Sequence, residues 1–177
     1  MFRGSIVALV TPFKPNFEVD FDAFGRPIDR QIEAGTHGIV PCGCTGEAAT
    51  LSHDEQKKLI AYCVERVAGR VPVIAGAGSN NTHEAVSLTK FAREAGADGV
   101  LSITPYYNKP MPQGQIAHYT AVAEAAQSPV MLYNVPGRTG TKMTAETIAA
   151  LSKVEHIEYV KEACGSVDQV TEILSQC

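Results

Sequence analysis

No stretch of the 177-residue sequence approaches the roughly 20 consecutive apolar residues that a membrane-spanning helix requires. After Arg3 the apolar run at 6–10 is too short for the hydrophobic region of a secretory signal, and Pro12 follows closely. Clustered basic charge is also missing. Fifteen lysines and arginines against 19 acidic residues give a net charge of −4, and the cations are scattered, so nothing tracks a nucleic-acid backbone. Metal-ligand spacing is absent as well. Cys42-Gly43-Cys44 has no second Cys or His cluster to complete a ligand set, the five histidines are dispersed, and no HExxH occurs, so no metal is expected. With no secretory signal, the odd set of five cysteines reads as free thiols in a reducing cytoplasm.

What is present is an ordinary globular composition, 45% hydrophobic and 19% charged, long enough for one domain with a sizeable core. Short, continuously apolar runs recur at 5–10, 38–41, 71–75, 99–104, 130–134 and 157–161, the pattern of strands buried on both faces. Helical segments lie between them. Ser52-His-Asp-Glu55 is a capping box for a helix running to about Ala68. Asn81 or Thr82 opens the next, and Gly96 ends it as a C′ glycine. Thr144 and Ser166 open two more.

Six β-then-α units of roughly 30 residues predict an α/β fold with a parallel sheet and right-handed crossovers. Length favours a doubly wound open sheet, because a closed (β/α)8 TIM barrel usually takes about 250 residues. The loops favour the barrel. The first strand is followed by Thr11-Pro12-Phe13-Lys14 rather than GxGxxG, Gly76-Ala-Gly78 lacks the third glycine, and there is no Walker A. Polar groups instead follow nearly every strand, which is how a barrel distributes its chemistry. The expectation is therefore a (β/α)8 barrel of which this chain supplies about the first six units, a single domain over 1–177 that is incomplete at its C-terminus.

Lys161 ends the sixth strand, behind Ile157, Tyr159 and Val160, where a lysine needs a partner or a task. Two readings stand open: an amine that snorkels to solvent, and a desolvated amine able to form a Schiff base with a carbonyl. Tyr133 ends the preceding strand, so a parallel sheet brings it near Lys161 at the same rim, where a phenol can move protons. The turn Gly43-Cys44-Thr45-Gly46-Glu47 offers N–H groups and a hydroxyl to a carboxylate, though it is also a plain βα turn. Arg138 offers a planar fork to a second carboxylate.

These stretches together resemble the dihydrodipicolinate synthases, within the Schiff-base pyruvate aldolases that include N-acetylneuraminate lyase. The likeness runs the length of the chain, through Gly4-Ser-Ile-Val-Ala-Leu-Val-Thr-Pro12, Gly43-Cys-Thr-Gly-Glu47, Pro105-Tyr-Tyr-Asn-Lys-Pro110, Tyr133-Asn-Val-Pro-Gly-Arg-Thr-Gly140 and Tyr159-Val-Lys-Glu-Ala163. The resemblance implies that Lys161 condenses with pyruvate and the resulting enamine attacks L-aspartate-4-semialdehyde, with no cofactor. It implies that Tyr133 shuttles protons, that Gly43 and Thr45 hold the pyruvate carboxylate, and that Arg138 holds that of the semialdehyde. An arginine at 138 separates this branch from the sialate lyases, which generally lack it.

By the same resemblance Tyr107 reaches into a neighbouring subunit of a homotetramer, and His53, Asn80, Glu84 and Tyr106 match a site for L-lysine as an effector. Two flanking positions depart from the lysine-sensitive pattern, Ala48 and Gln56. A further departure is Cys44, which stands where the family's proton relay has a threonine. The competing readings are another pyruvate aldolase, such as a sialate lyase, and a non-catalytic α/β module that binds an anion.

Overall fold

Apolar runs punctuated by capping residues become strands and helices in the expected order. The computed structural model describes residues 1–177, which divide into two compact units, 1–77 with 91–99, and 78–90 with 100–177. No helix is long and apolar enough to cross a membrane.

In the first unit, β1 (Ile6–Ala8) pairs in parallel with β2 (Gly38–Val40), Val7 opposite Ile39. β3 (Ile74–Gly76) follows β2 through the parallel bridge Ile39↔Val73 and the bond from the Gly76 N–H to the Pro41 carbonyl, 2.9 Å. Helix α1 (Phe21–Glu33) starts at Asp20, whose carboxylate accepts the Ala23 N–H at 2.9 Å. Helix α2 (His53–Val67) carries the capping box read from the sequence. Ser52 Oγ accepts the Glu55 N–H at 3.3 Å, and Glu55 accepts the Ser52 N–H at 2.8 Å. It ends at Ala68 in the left-handed region. Phe24 and Ile28 of α1 and Leu59, Ile60, Cys63 and Val67 of α2 are at most 1% exposed and form this unit's core. At the surface Asp29 of α1 accepts from Arg66 and Arg70, which lower its pKa through hydrogen bonds and charge.

Helix α3 (Thr82–Glu94) begins where the sequence places it, and Gly96 follows it at φ +88°. In the second unit three parallel strands, β4 (Gly99–Ile103), β5 (Val130–Asn134) and β6 (Ile157–Glu162), alternate with helices. Helix α4 (Pro112–Ala126) follows β4. A four-residue helix, α5 (Pro136–Thr139), and α6 (Ala145–Leu151) follow β5, and α7 (Val167–Gln176) follows β6. Thr144 and Ser166 are side-chain N-caps, as expected. Leu132, Met143, Ile148 and Leu151 lie in this unit's core.

Two expectations need correction. The third strand starts at Ile74 rather than Val71, since Pro72 has no N–H to give a ladder. And only β2 to β5 are buried as strands covered on both faces. β1 is half-buried throughout, and β6 is buried at Ile157, exposed at Glu158 and half-buried beyond; the 177 residues hold six units of the expected eight-unit barrel, so these two strands have no neighbour on one side.

Candidate active site

The last two strands decide where the amine goes. In the β5–β6 register Tyr133 lies opposite Lys161, and paired positions of a parallel sheet share a face. The Lys161 ammonium accordingly sits 4.2 Å from the centroid of the Tyr133 ring, a cation–π contact. Tyr133 is buried and Lys161 half-buried. The amine thus lies half-buried against an aromatic face at the end of its strand. The Tyr133 carbonyl accepts both the N–H and the hydroxyl of fully buried Thr104, each at 2.9 Å, which pins the strand end that presents the ring.

Arg138 stands one turn beyond β5, on α5, exposed. Pro136 at the helix start, the Thr139 hydroxyl donating to the Thr141 carbonyl at 2.7 Å, and Gly140 at φ +68° hold this loop. Tyr107 is 91% exposed and takes a left-handed backbone, φ +67°. Its loop is tied down beside it, where Asn108 Nδ2 donates to the Asn80 carbonyl at 3.1 Å. Ser79 Oγ donates to Glu84 at 2.8 Å. Asn80, Glu84 and Tyr106, three of the four lysine-site candidates, thus belong to this unit and are half-buried.

The fourth, His53, is in the first unit, exposed at the start of α2. The same unit carries Gly43, Cys44 and Thr45, in a turn shaped by its backbone. The Glu47 N–H donates to the Cys44 carbonyl at 3.1 Å, the Ala48 N–H to the Gly43 carbonyl at 3.3 Å, and the Thr11 hydroxyl to the Gly46 carbonyl at 2.6 Å. A Cβ on Gly76 would lie 2.0 Å from the Cys42 carbonyl oxygen, so β3 passes this turn at a distance only glycine allows. Gly43 is buried, Cys44 half-buried and Thr45 exposed.

The Cys42-Gly-Cys44 pair splits. Cys42 turns inward, its thiol 3.8 Å from the Gln56 carbonyl, and burial pushes its pKa up to about 12. Gln56 is itself interior, 3% exposed and donating to the Gly76 carbonyl at 2.8 Å. Its difference from the lysine-sensitive pattern therefore falls on a residue that supports the fold. Sequence reasoning missed Thr104 and the partners of Glu162 described below. The only trace of Thr104 is a threonine directly before Pro105, at the end of an apolar run.

Parallel β/α units with an amine and a phenol paired at the ends of neighbouring strands define a class, the (β/α) barrels that place their chemistry at the C-terminal ends of strands. The chain belongs to the dihydrodipicolinate synthetase family, whose description matches residues 1–177. It is 56% identical over 177 residues to the 4-hydroxy-tetrahydrodipicolinate synthase of Maridesulfovibrio salexigens, a match covering 99% of this chain and 60% of that protein. The dihydrodipicolinate synthase of Acinetobacter baumannii, solved in complex with pyruvate, is 43% identical with a TM-score of 0.96, over 99% of this chain and 60% of that one. The synthase of Cyanidioschyzon merolae, solved with lysine bound, is 44% identical with a TM-score of 0.95, over 99% and 60%. The chain spans about 60% of the length of the curated relatives it matches, and it supplies six βα units of the family's (β/α)8 barrel.

Proposed function

We propose that this sequence carries the Schiff-base half of a lyase that condenses pyruvate with L-aspartate-4-semialdehyde to give 4-hydroxy-tetrahydrodipicolinate. The observation that carries this reading is the Lys161 amine stacked on Tyr133 in strand register; family membership and a pyruvate-bound relative support it. The neutral amine attacks the ketone carbon of pyruvate, and loss of water gives an imine. A methyl proton then leaves, and the enamine carbon forms the new bond to the aldehyde. Closure by the semialdehyde's own amine on the imine carbon releases Lys161.

Each step moves a proton, and Tyr133 is the group that gives and takes it. Gly43 and Thr45 bind the pyruvate carboxylate, Arg138 binds the second carboxylate bidentately, and Cys44 takes the relay position between Tyr133 and Tyr107. Tyr107 serves a neighbouring subunit of a homotetramer. L-lysine, bound by His53, Asn80, Glu84 and Tyr106, is the effector. No resident cofactor is needed, because the protonated imine formed by Lys161 takes up the electron pair left when the methyl proton departs.

Borohydride reduction in the presence of pyruvate, followed by peptide mass mapping, tests the reading. The expected result is a pyruvyl adduct on the peptide containing Lys161. A folded protein that forms no adduct overturns it.

A further inference from the structure

The residues that follow the amine and the phenol point to the opposite face of the sheet, and there they form a closed polar cluster. β5 and β6 do not pair evenly. Val130 lies opposite Ile157 and Met131 opposite Tyr159, so Glu158 is skipped and the register slips at the start of the pair. Whatever sets Lys161 against Tyr133 must therefore act beyond the slip.

At the far end Asn134 lies opposite Glu162, and the Ala163 N–H donates to the Asn134 carbonyl at 2.8 Å. Asn134 is fully buried, and its amide is used completely. Nδ2 donates to the Met143 carbonyl at 3.0 Å and to Glu162 Oε2 at 2.8 Å, while Oδ1 accepts the Met143 N–H at 3.0 Å. Those two backbone partners fix which way the amide faces. Gln169 of α7, 3% exposed, donates to the same Met143 carbonyl at 2.9 Å and to Glu162 Oε2 at 3.4 Å. The Cys164 N–H donates to Glu162 Oε1 at 2.8 Å. One carboxylate thus accepts from a strand, a helix and the loop between them.

We propose that Glu162, held by Asn134, Gln169 and the Cys164 N–H, is a positioning residue that locks the β5–β6 register and so seats the Lys161 amine on Tyr133. The group has to be a carboxylate. Three donors converge on it, and only an acceptor-only side chain satisfies all three. Charge-assisted bonds of this kind are about twice as strong as neutral ones. An isosteric glutamine turns its NH2 either toward Asn134 and Gln169, where Asn134 cannot rotate to meet it without losing Met143, or toward the Cys164 N–H, a backbone donor that cannot turn away, so the cluster loses a tie in either orientation. Freed of that tie, β6 shifts against β5 at the residue that carries the amine. The catalytic meaning of the lock rests on the Schiff-base reading of Lys161, but the geometry of the lock does not.

Two readouts keep the two ideas apart. The Lys161 ε-methylene protons, one carbon from an Nζ that lies 4.2 Å from the Tyr133 ring centroid, are expected to resonate upfield through the ring current, and the signal is assigned by its loss in Lys161→Ala. In Glu162→Gln, shown to be folded by circular dichroism, the expected result is loss of the upfield shift. Adduct formation with pyruvate should slow by about tenfold or more, since misplacement by 1 Å costs up to about a hundredfold. Gln169→Ala, which leaves both strands untouched, should shrink the same shift, and it decides the matter if Glu162→Gln does not fold. If the parent forms no adduct, the Schiff-base reading falls while the ring-current shift still judges the lock. Retention of the shift, or of a competent parent's trapping rate, in folded Glu162→Gln overturns the proposal, even if its melting temperature drops.

Discussion

The turn after β2 and the paired ends of β5 and β6 hold their candidate site residues by opposite means. At Gly43 to Glu47 the backbone does the holding, through carbonyl–amide contacts, a threonine hydroxyl on a carbonyl, and a neighbouring strand that fits only because residue 76 has no side chain. At Tyr133 and Lys161 the holding is done by side chains, through strand register on one face and the Asn134–Glu162–Gln169 cluster on the other. A backbone-built site tolerates exchanged side chains and fails when a glycine acquires a Cβ. A side-chain-built site does the reverse.

The largest effect expected of that comparison is at the amine. Lys161→Ala should abolish the pyruvate adduct altogether while leaving a folded protein, since Lys161 is half-buried and its truncation leaves the backbone ladder to β5 in place. An adduct of undiminished yield on another lysine would remove Lys161 from the mechanism. Next come the glycines. Gly76→Ala puts a methyl 2.0 Å from the Cys42 carbonyl oxygen, and backbone must move to admit it. A loss of about 3 kcal/mol or more is expected in chemical denaturation. Gly137→Ala, beside Arg138, meets nothing within 4 Å, and should change stability by less than about 1 kcal/mol. Equal effects at the two glycines would erase the distinction between the regions.

The two units should also fail at opposite ends of the pH scale. In the second, His118 is 4% exposed with Nδ1 2.9 Å from the Thr82 hydroxyl, Nε2 has no partner, and burial lowers its pKa to about 4. A histidine depressed on folding contributes stability above its unfolded value of about 6.5, and that contribution is lost as the pH falls toward 4, at most on the order of 3 kcal/mol. In the first, burial raises the Cys42 and Cys63 thiols to about 12. Groups raised on folding contribute below the unfolded value, and the contribution disappears as the pH rises from about 9 toward 12. Denaturation midpoints between pH 4 and 11 for the parent, His118→Asn and Cys63→Ala check both signs. The acid loss should shrink only in the first variant and the alkaline loss only in the second.

Sequence reading reached the site residues unevenly, and the physics of each explains why. Lys161 and Tyr133 are visible because each ends an apolar run, and a parallel sheet aligns such ends. The helix starts at Ser52, Thr144 and Ser166 are equally legible, since a cap is a local bond that leaves a local motif. The half-burial of β6 is legible in part, since six units of an eight-unit barrel leave sheet edges and its residues, IEYVKE, include three charges where β5, VMLYN, has none. The role of Glu162 was hidden. Its donors come from positions 134, 164 and 169, and no spacing in the chain marks a carboxylate that three distant groups address. Gln56 shows the converse, a position that draws notice by its difference from a pattern and turns out to be spent on a carbonyl inside the unit.

The smallest expected effect is at Cys44, and it tests the backbone-built region most directly. The turn uses the Cys44 carbonyl, which accepts from Glu47, and its backbone lies outside the left-handed region that Cys42 and Glu47 occupy. A β-branched residue therefore fits without strain, and a half-buried thiol of similar size is exchanged for a hydroxyl. Stability should change by less than about 1 kcal/mol, as for other exchanges that leave the backbone and volume in place. In the proposed relay a hydroxyl is the better donor and acceptor, a thiol being weak at both. Cys44→Thr should then form the pyruvate adduct at the parent's rate or somewhat faster. A large loss of rate with stability intact would show that the thiol does something a hydroxyl cannot, and that this turn, unlike its glycines suggest, is selected for a side chain.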